Sequence, residues 1–244
     1  LVGGGELETA VDRAIAASGA RIRRLPFRDD IPELIAASDA GCLVSDFEGL
    51  PVFLLECLQA GRPFLGTDVG LRFKSNRGRG GIVENIFISD TEMMNIPTQA
   101  ISFNLFYSGR SASEDLEAGE NGQIPSLLPV TEETPQFRNI TIRRVNCKGA
   151  LQAIQLQGLP EMNLKNILME DIQMEAENGL ICTDANGVTI NNLSLSVKKS
   201  PAVILENSAE VTINGLAITA GQSPLIRING SRTGRTVLIN PANP

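Results

Sequence analysis

The sequence predicts a mainly β protein: a right-handed parallel β-helix over residues 71–244, preceded by a partial α/β, Rossmann-like fragment over 1–70. Three observations carry that expectation. One strand-and-turn phrase recurs from Leu71 almost to the end of the chain. Before Gly70, short apolar strands alternate with helical stretches. The change between the two patterns is abrupt, at Gly70–Leu71, and neither half reads as a whole domain.

In the first segment, LVGGGELETAVDRAIAASGA reads as strand, turn and helix. Leu7, Val11 and Ile15 recur every four residues on one helical face, and Gly19 supplies a C-terminal stop. A strand is expected at Ile22–Leu25, then a helix from Ile31 capped by Asp30. Ala40–Val44 is a second apolar strand, Pro51 opens another helix, and GRPFLGTDV contains a last strand. Strands alternating with helices imply a parallel sheet, whose ligands sit beyond the carboxyl ends of the strands. Ser45–Leu50 is the loop in that position, with Glu48 in it and Glu56 in the helix that follows. A helix N-terminus favours phosphate, and a nearby carboxylate can accept two ribose hydroxyls. Gly3-Gly4-Gly5 lacks the spacing of a dinucleotide loop and reads as a turn.

The second segment is built on a repeat. Val83-Glu-Asn85-Ile-Phe-Ile88 is echoed at Phe137–Ile142, Leu164–Met169, Ile190–Leu195 and Ile213–Ile218. Aligned on the polar position, the phrase steps through Asn139, Asn166, Asn192 and Gly215, a period that signals stacked coils. Apolar residues at every second position are strands with one face inward. Asn giving way to Gly marks a left-handed backbone site, and stacked Asn side chains can form ladders. An insertion near Ser108–Thr134 carries Glu114, Asp115, Glu117, Glu120, Glu132 and Glu133 and reads as a solvated loop. Arg72 and Lys74, two apart on a strand, share one face with Phe73 opposite, and taken alone they read as a solvated basic patch. Arg77 and Arg79 read as supporting or surface charges.

Composition narrows the chemistry. The chain has 244 residues, a net charge of −7 and no His, so Ser-His-Asp triads, Cys-His dyads and His-based zinc sites are excluded. The acidic balance argues against nucleic acid as a partner, and no apolar run is long enough to cross a membrane. Cys42, Cys57, Cys147 and Cys182 have no metal-type spacing and read as buried structural thiols. Neither a cofactor nor a metal is expected.

Two resemblances add to this reading. SDFEGLPVFLLECLQAGRPFLGTDVG, preceded by RDDIPELIAASDAGCLV, resembles the C-terminal domain of retaining GT-B glycosyltransferases of family 4. Their E-x7-E pattern falls on Glu48 and Glu56, which the resemblance places near the donor phosphates and sugar and on the donor ribose, respectively. It also implies an acceptor domain and diphosphate-neutralising basic residues ahead of Leu1, so no turnover is expected from this chain alone.

GLRFKSNRGRGG, with AISFNLFY and FRNITIRRVNCKGALQAIQLQGLPEMNLKNI, is similar to family 28 glycoside hydrolases, the polygalacturonases. That similarity implies galacturonate binding by Arg72, Lys74 and Tyr107. The catalytic aspartates and the G-H-G motif of that family would lie before Arg72, where this sequence is transferase-like and without His; Asp29-Asp30 reads as a helix cap. The resulting expectation is a pectin-directed hydrolase fragment that binds galacturonate polysaccharide with no catalytic residues of its own, in a chimeric or mis-joined chain. The alternatives are a nucleotide-sugar transferase remnant using Glu48 and Glu56, and a non-catalytic carbohydrate-binding β-helix. The hydrolase-like part would suit a secreted or periplasmic protein, the transferase-like part a cytoplasmic one.

Overall fold

A computed structural model describes residues 1–43, 52–66, 68–106, 127–220 and 223–239. The chain forms two compact units, residues 1–67 and 68–244.

The first unit contains α1 (Glu8–Ser18), α2 (Ile31–Ala37), β1 (Gly41–Cys42), α3 (Val52–Gln59) and β2 (Phe64–Leu65). Helix α1 stops at Gly19, which adopts the left-handed conformation expected of a C-terminal glycine. Strands β1 and β2 pair in parallel on either side of α3, so residues 41–65 make a small strand–helix–strand unit. Close packing joins the layers: a Cβ on Gly41 would meet the ring of Phe64 at 3.3 Å and would collide with Cys57 Sγ.

Two local expectations fail here. Instead of a strand at Ile22–Leu25 there is an isolated bridge between Val2 and Leu25. The segment has no apolar face to bury, and Arg24 turns away to Asp12 (2.8 Å) and Glu8 (2.5 Å) on α1. Asp30 makes no side-chain cap on α2, because its carboxylate is taken by Arg28.

Among the described residues the second unit is one ten-stranded sheet in which every pairing is parallel. Its strands are β3 (Leu71–Lys74), β4 (Ile82–Asn104), β5 (Gln136–Gln157), β6 (Leu164–Ala176), β7 (Asn178–Thr183), β8 (Ala185–Val197), β9 (Val203–Glu206), β10 (Ala209–Ala220), β11 (Ile226–Asn229) and β12 (Thr236–Ile239). The sheet curls. The first half of β5 pairs with β6, and its second half with β7. From there successive strands alternate between two rows, β6–β8–β10–β12 and β7–β9–β11. Parallel neighbours so arranged put like residues over like, and the inward columns are apolar, as in Ile142–Met169–Ile190–Ile213 and Phe103–Leu156–Cys182–Leu205. Phe73 stacks on Phe103 with centroids 4.3 Å apart, and Phe137 meets both edge-on.

The corners correct the alignment of the repeat. Two columns of left-handed residues run up the first row, five residues apart. One is Asn85, Asn139, Asn166, Gly187 and Glu210; the other is Asp90, Arg144, Asp171, Asn192 and Gly215. Asn192 and Gly215 therefore belong to the second column, whereas Asn139 and Asn166 belong to the first. Both corners are small polar positions followed by alternating apolar residues, so one phrase matches either. The ladder itself is present: Asn166 Nδ2 donates to Asn139 Oδ1 (3.1 Å), and Asn139 Nδ2 to Asn85 Oδ1 (3.4 Å). In the second column Asn192 Nδ2 donates to Asp171 Oδ1 at 2.9 Å, and Arg144 pairs with Asp90.

Cys57, Cys147 and Cys182 are buried, but Cys42 is exposed on the two-residue strand β1. Burial pushes the Cys182 thiol up to about 12 and that of Cys147 to about 11. Among the described residues no helix is long and apolar enough to cross a membrane.

Candidate functional site

Strand β3 places Arg72 beside Ser102 and Lys74 beside Asn104 on β4. The next coil adds Gln155 and Gln157 to the same two columns. Alternation along the strand turns Phe73 and Phe103 inward and this polar set outward. Arg72 and Lys74 are half-buried. Lys74 is held below the ordinary lysine range, first by desolvation and then by the positive charges of Arg72 and Arg79. Arg72 and Lys74 therefore share one face of the sheet, and the charge of Arg79, from the turn that follows, is felt at Lys74.

That face has a second property. Ser102, Asn104 and Gln155 face outward by register, yet each is nearly inaccessible, at 2%, 4% and 6% exposure. Asn104 Oδ1 accepts from the Phe106 N–H at 2.7 Å. Gln155 Nε2 donates to Gln157 Oε1, but among the described residues Gln155 Oε1 has no hydrogen-bond partner. Polar groups buried in this way are costly unless a donor is supplied.

Arg77 behaves differently from its neighbours. It forms a two-pronged pair with Glu161, at 2.6 and 2.8 Å, and lies 5.0 Å over the ring of Phe106. The Glu161 side chain is 3% exposed, and the guanidinium holds its carboxyl below the usual carboxylate range. A second buried acid, Asp184 at 4%, pairs with Arg232 at 2.7 Å. Here desolvation outweighs the arginine and pushes the carboxyl up. None of Glu161, Asp184 and Arg232 stood out in the sequence, because each partner lies one or more coils away. Arg79 is exposed in the turn between β3 and β4.

In the first unit Glu56 sits on α3, half-buried, next to Cys57, which packs against β1. Its charge helps to push the Cys57 thiol up, after burial. Glu48, the loop around it and Pro51 lie outside the described residues, as do Tyr107 and the insertion up to residue 126. Glu132 and Glu133, at the end of that insertion, are exposed, with the Glu133 carbonyl accepting from the N–H groups of Gly78 and Gly80. Among the described residues no group of three or more metal-ligating side chains is assembled. A shallow cleft of about 490 Å3 lies elsewhere on the sheet, lined by Ala150, Glu175, Glu177, Val197 and Lys198 among others, and includes none of the expected site residues.

Comparison with known proteins gives one match. The family model described as glycosyl transferases group 1 matches residues 1–93. The match spans the whole first unit and continues through β3 into the start of β4. No curated protein and no solved structure matches the chain. The transferase resemblance of the first segment is supported, the polygalacturonase resemblance of the second is not, and the balance moves from a hydrolase reading to the transferase one.

Proposed function

We propose that the chain is a carbohydrate-directed binding protein whose first segment, residues 1–70, is a nucleotide-sugar-binding remnant of the group 1 glycosyltransferase type. The observation that carries this reading is the family match over residues 1–93, joined to the parallel strand–helix–strand unit that presents Glu56. In this reading Glu56 accepts two hydroxyls of the donor ribose, and Glu48 lies near the phosphates and the sugar. Titration calorimetry of the intact chain with UDP-glucose and with GDP-mannose tests it. Saturable binding is expected, weakened more than tenfold in Glu56→Ala, since two hydrogen bonds to a charged group are lost at about 1.5–3 kcal/mol each. Absence of binding to either compound, or no loss in Glu56→Ala, overturns it.

A second reading is favoured by the face on β3. Arg72, Lys74 and Arg79 suit the carboxylate of a uronic acid such as galacturonate, and the unpartnered Gln155 Oε1 suits one of its hydroxyls. Tyr107 belongs to the same proposed subsite. We read the supporting sheet as a right-handed parallel β-helix, the hand that parallel crossovers take in about 98% of cases. Oligogalacturonate is then bound without release of reducing ends, and Arg72→Ala weakens that binding. Binding unchanged in Arg72→Ala rules the subsite out.

A further inference from the structure

The corner at which β3, β5, β7, β9 and β11 end gathers charge from separate turns. Arg77 lies between β3 and β4, Glu161 between β5 and β6, Asp184 between β7 and β8, and Arg232 between β11 and β12, while Glu206 closes β9. Both paired acids are sunken, Glu161 at 3% and Asp184 at 4% side-chain exposure, under arginines at 31% and 28%. The pairs share one field. Arg77 is influenced by Asp184 as well as by Glu161, and Asp184 by Glu206 and Glu161 as well as by Arg232. Cys182, two residues before Asp184, stays a neutral thiol at physiological pH. Among the described residues three carboxylates thus face two guanidiniums at this corner, with one negative charge in excess.

The excess falls on Asp184. Glu161 is gripped by Nε and Nη2 of Arg77, which holds it charged. At Asp184 burial outweighs Arg232, so this acid is the first of the two to take a proton as pH falls. Its partner belongs to a turn, residues 230–235. There the Arg232 N–H donates to Asn207 Oδ1 (3.2 Å) and the Gly234 N–H to the Ser208 carbonyl (3.0 Å), both on the adjacent coil. The Arg232 side chain reaches one coil further, to Asp184 Oδ1 at 2.7 Å. If Arg232 left while Asp184 stayed buried, the carboxyl would be pushed further up, so proton uptake by Asp184 and departure of Arg232 favour each other.

We propose that Asp184 and Arg232 form a pH-released clasp. A proton from solvent adds to the Asp184 carboxylate, the guanidinium loses its anion and swings to solvent, and residues 230–235 loosen from the coil of Asn207 and Ser208. Raising the pH removes the proton and the clasp re-forms. One turn is biased between two arrangements and the sheet behind it stays intact.

Amide hydrogen exchange followed by NMR on the intact chain, corrected for the intrinsic pH dependence of exchange, tests this from about pH 7.5 down to about pH 4.5. Protection of Arg232 and Gly234 should fall by about tenfold or more, the change that one pKa unit of linkage produces, while the amides of β8 keep theirs. Asp184→Asn should leave both turn amides weakly protected at every pH. Arg232→Gln, at a partly exposed position, should do the same and replaces the first variant if that one does not fold. Glu206→Gln removes one neighbouring negative charge and should move the midpoint of the change to lower pH. Wild-type protection that is independent of pH, or lost from β8 together with the turn, would overturn the proposal. So would a pH dependence that survives in Asp184→Asn or Arg232→Gln, or an unmoved midpoint in Glu206→Gln.

Discussion

Gly179, on β7, offers a severe test of how closely the coils are packed. A Cβ built there would lie 2.7 Å from the carbonyl carbon of Ala202 and 3.0 Å from its Cα, with the carbonyl oxygen nearer still. Carbon atoms prefer roughly 3.5–4.0 Å, so Gly179→Ala forces β7 and the turn before β9 apart by at least about 0.7 Å. The hydrogen bond from Leu180 N–H to Ala202 O is 2.8 Å long and does not survive that movement. The buried amide of Gln152, which donates to the Gly179 carbonyl, is strained as well. A buried hydrogen bond left unmade costs about 1–3 kcal/mol. Overpacking adds about 1–3 kcal/mol. At about 2–4 °C per kcal/mol for a unit of this size, the melting temperature should fall by roughly 4–24 °C. Gly78 is the control: its φ is +88°, but a Cβ there meets nothing within 4 Å, so Gly78→Ala incurs only the left-handed penalty of about 1 kcal/mol. Thermal unfolding followed by circular dichroism measures both. A Gly179→Ala protein melting within about 2 °C of wild type, or less affected than Gly78→Ala, would refute the packing argument.

Two further outcomes are expected. Asn166→Ala should cost about 1–2 kcal/mol, since it removes the ladder bond to Asn139 and keeps a left-handed backbone at φ +53°, whereas Asn166→Gly should cost less, because glycine already fills that column at Gly187; denaturant unfolding separates the two. The paired acids should respond to pH with opposite sign. Glu161, whose folded pKa is lowered by Arg77, stabilises above its unfolded value of about 4.3 and loses that contribution as pH falls through the folded value, so Glu161→Gln should flatten the acid limb of a stability profile. Asp184, whose folded pKa is raised by burial, destabilises while it is charged and is relieved as pH falls through that raised value towards its unfolded value of about 3.9, at higher pH than the Glu161 loss, so Asp184→Asn should remove that gain and raise stability at neutral pH relative to the acid limb. Equal slopes in the two variants would contradict the assignment.

What could be read from the sequence followed from how local the signal is. Alternation of apolar residues exposed the strands of the second unit, and Gly19 and Ile31 marked helix ends, because these patterns depend on neighbours within a few residues. The coil register was not local. Asn139 and Asn192 sit in the same phrase but on different corners, and only the pairings of Glu170 with Asn191 and of Ile172 with Leu193 distinguish them. The buried acids follow the same rule: Arg77 and Glu161 are 84 residues apart, and Asp184 and Arg232 are 48 apart, beyond any spacing a motif could reveal. At Asp30 a local signal was legible and misleading, since the acid that could cap α2 has a stronger partner two residues away in Arg28.

Several arginines of the second unit are held in ion pairs between distant parts of the chain. Arg77 and Arg232 are committed to acids that are almost fully buried, and Arg138, Arg143 and Arg144 each bridge to a carboxylate on a neighbouring coil. Such pairs hold one coil to the next. At Lys74 the balance is different: desolvation first, and then the charges of Arg72 and Arg79, hold it below the ordinary lysine range, so its protonated form is disfavoured there and an anion placed beside it would raise it again.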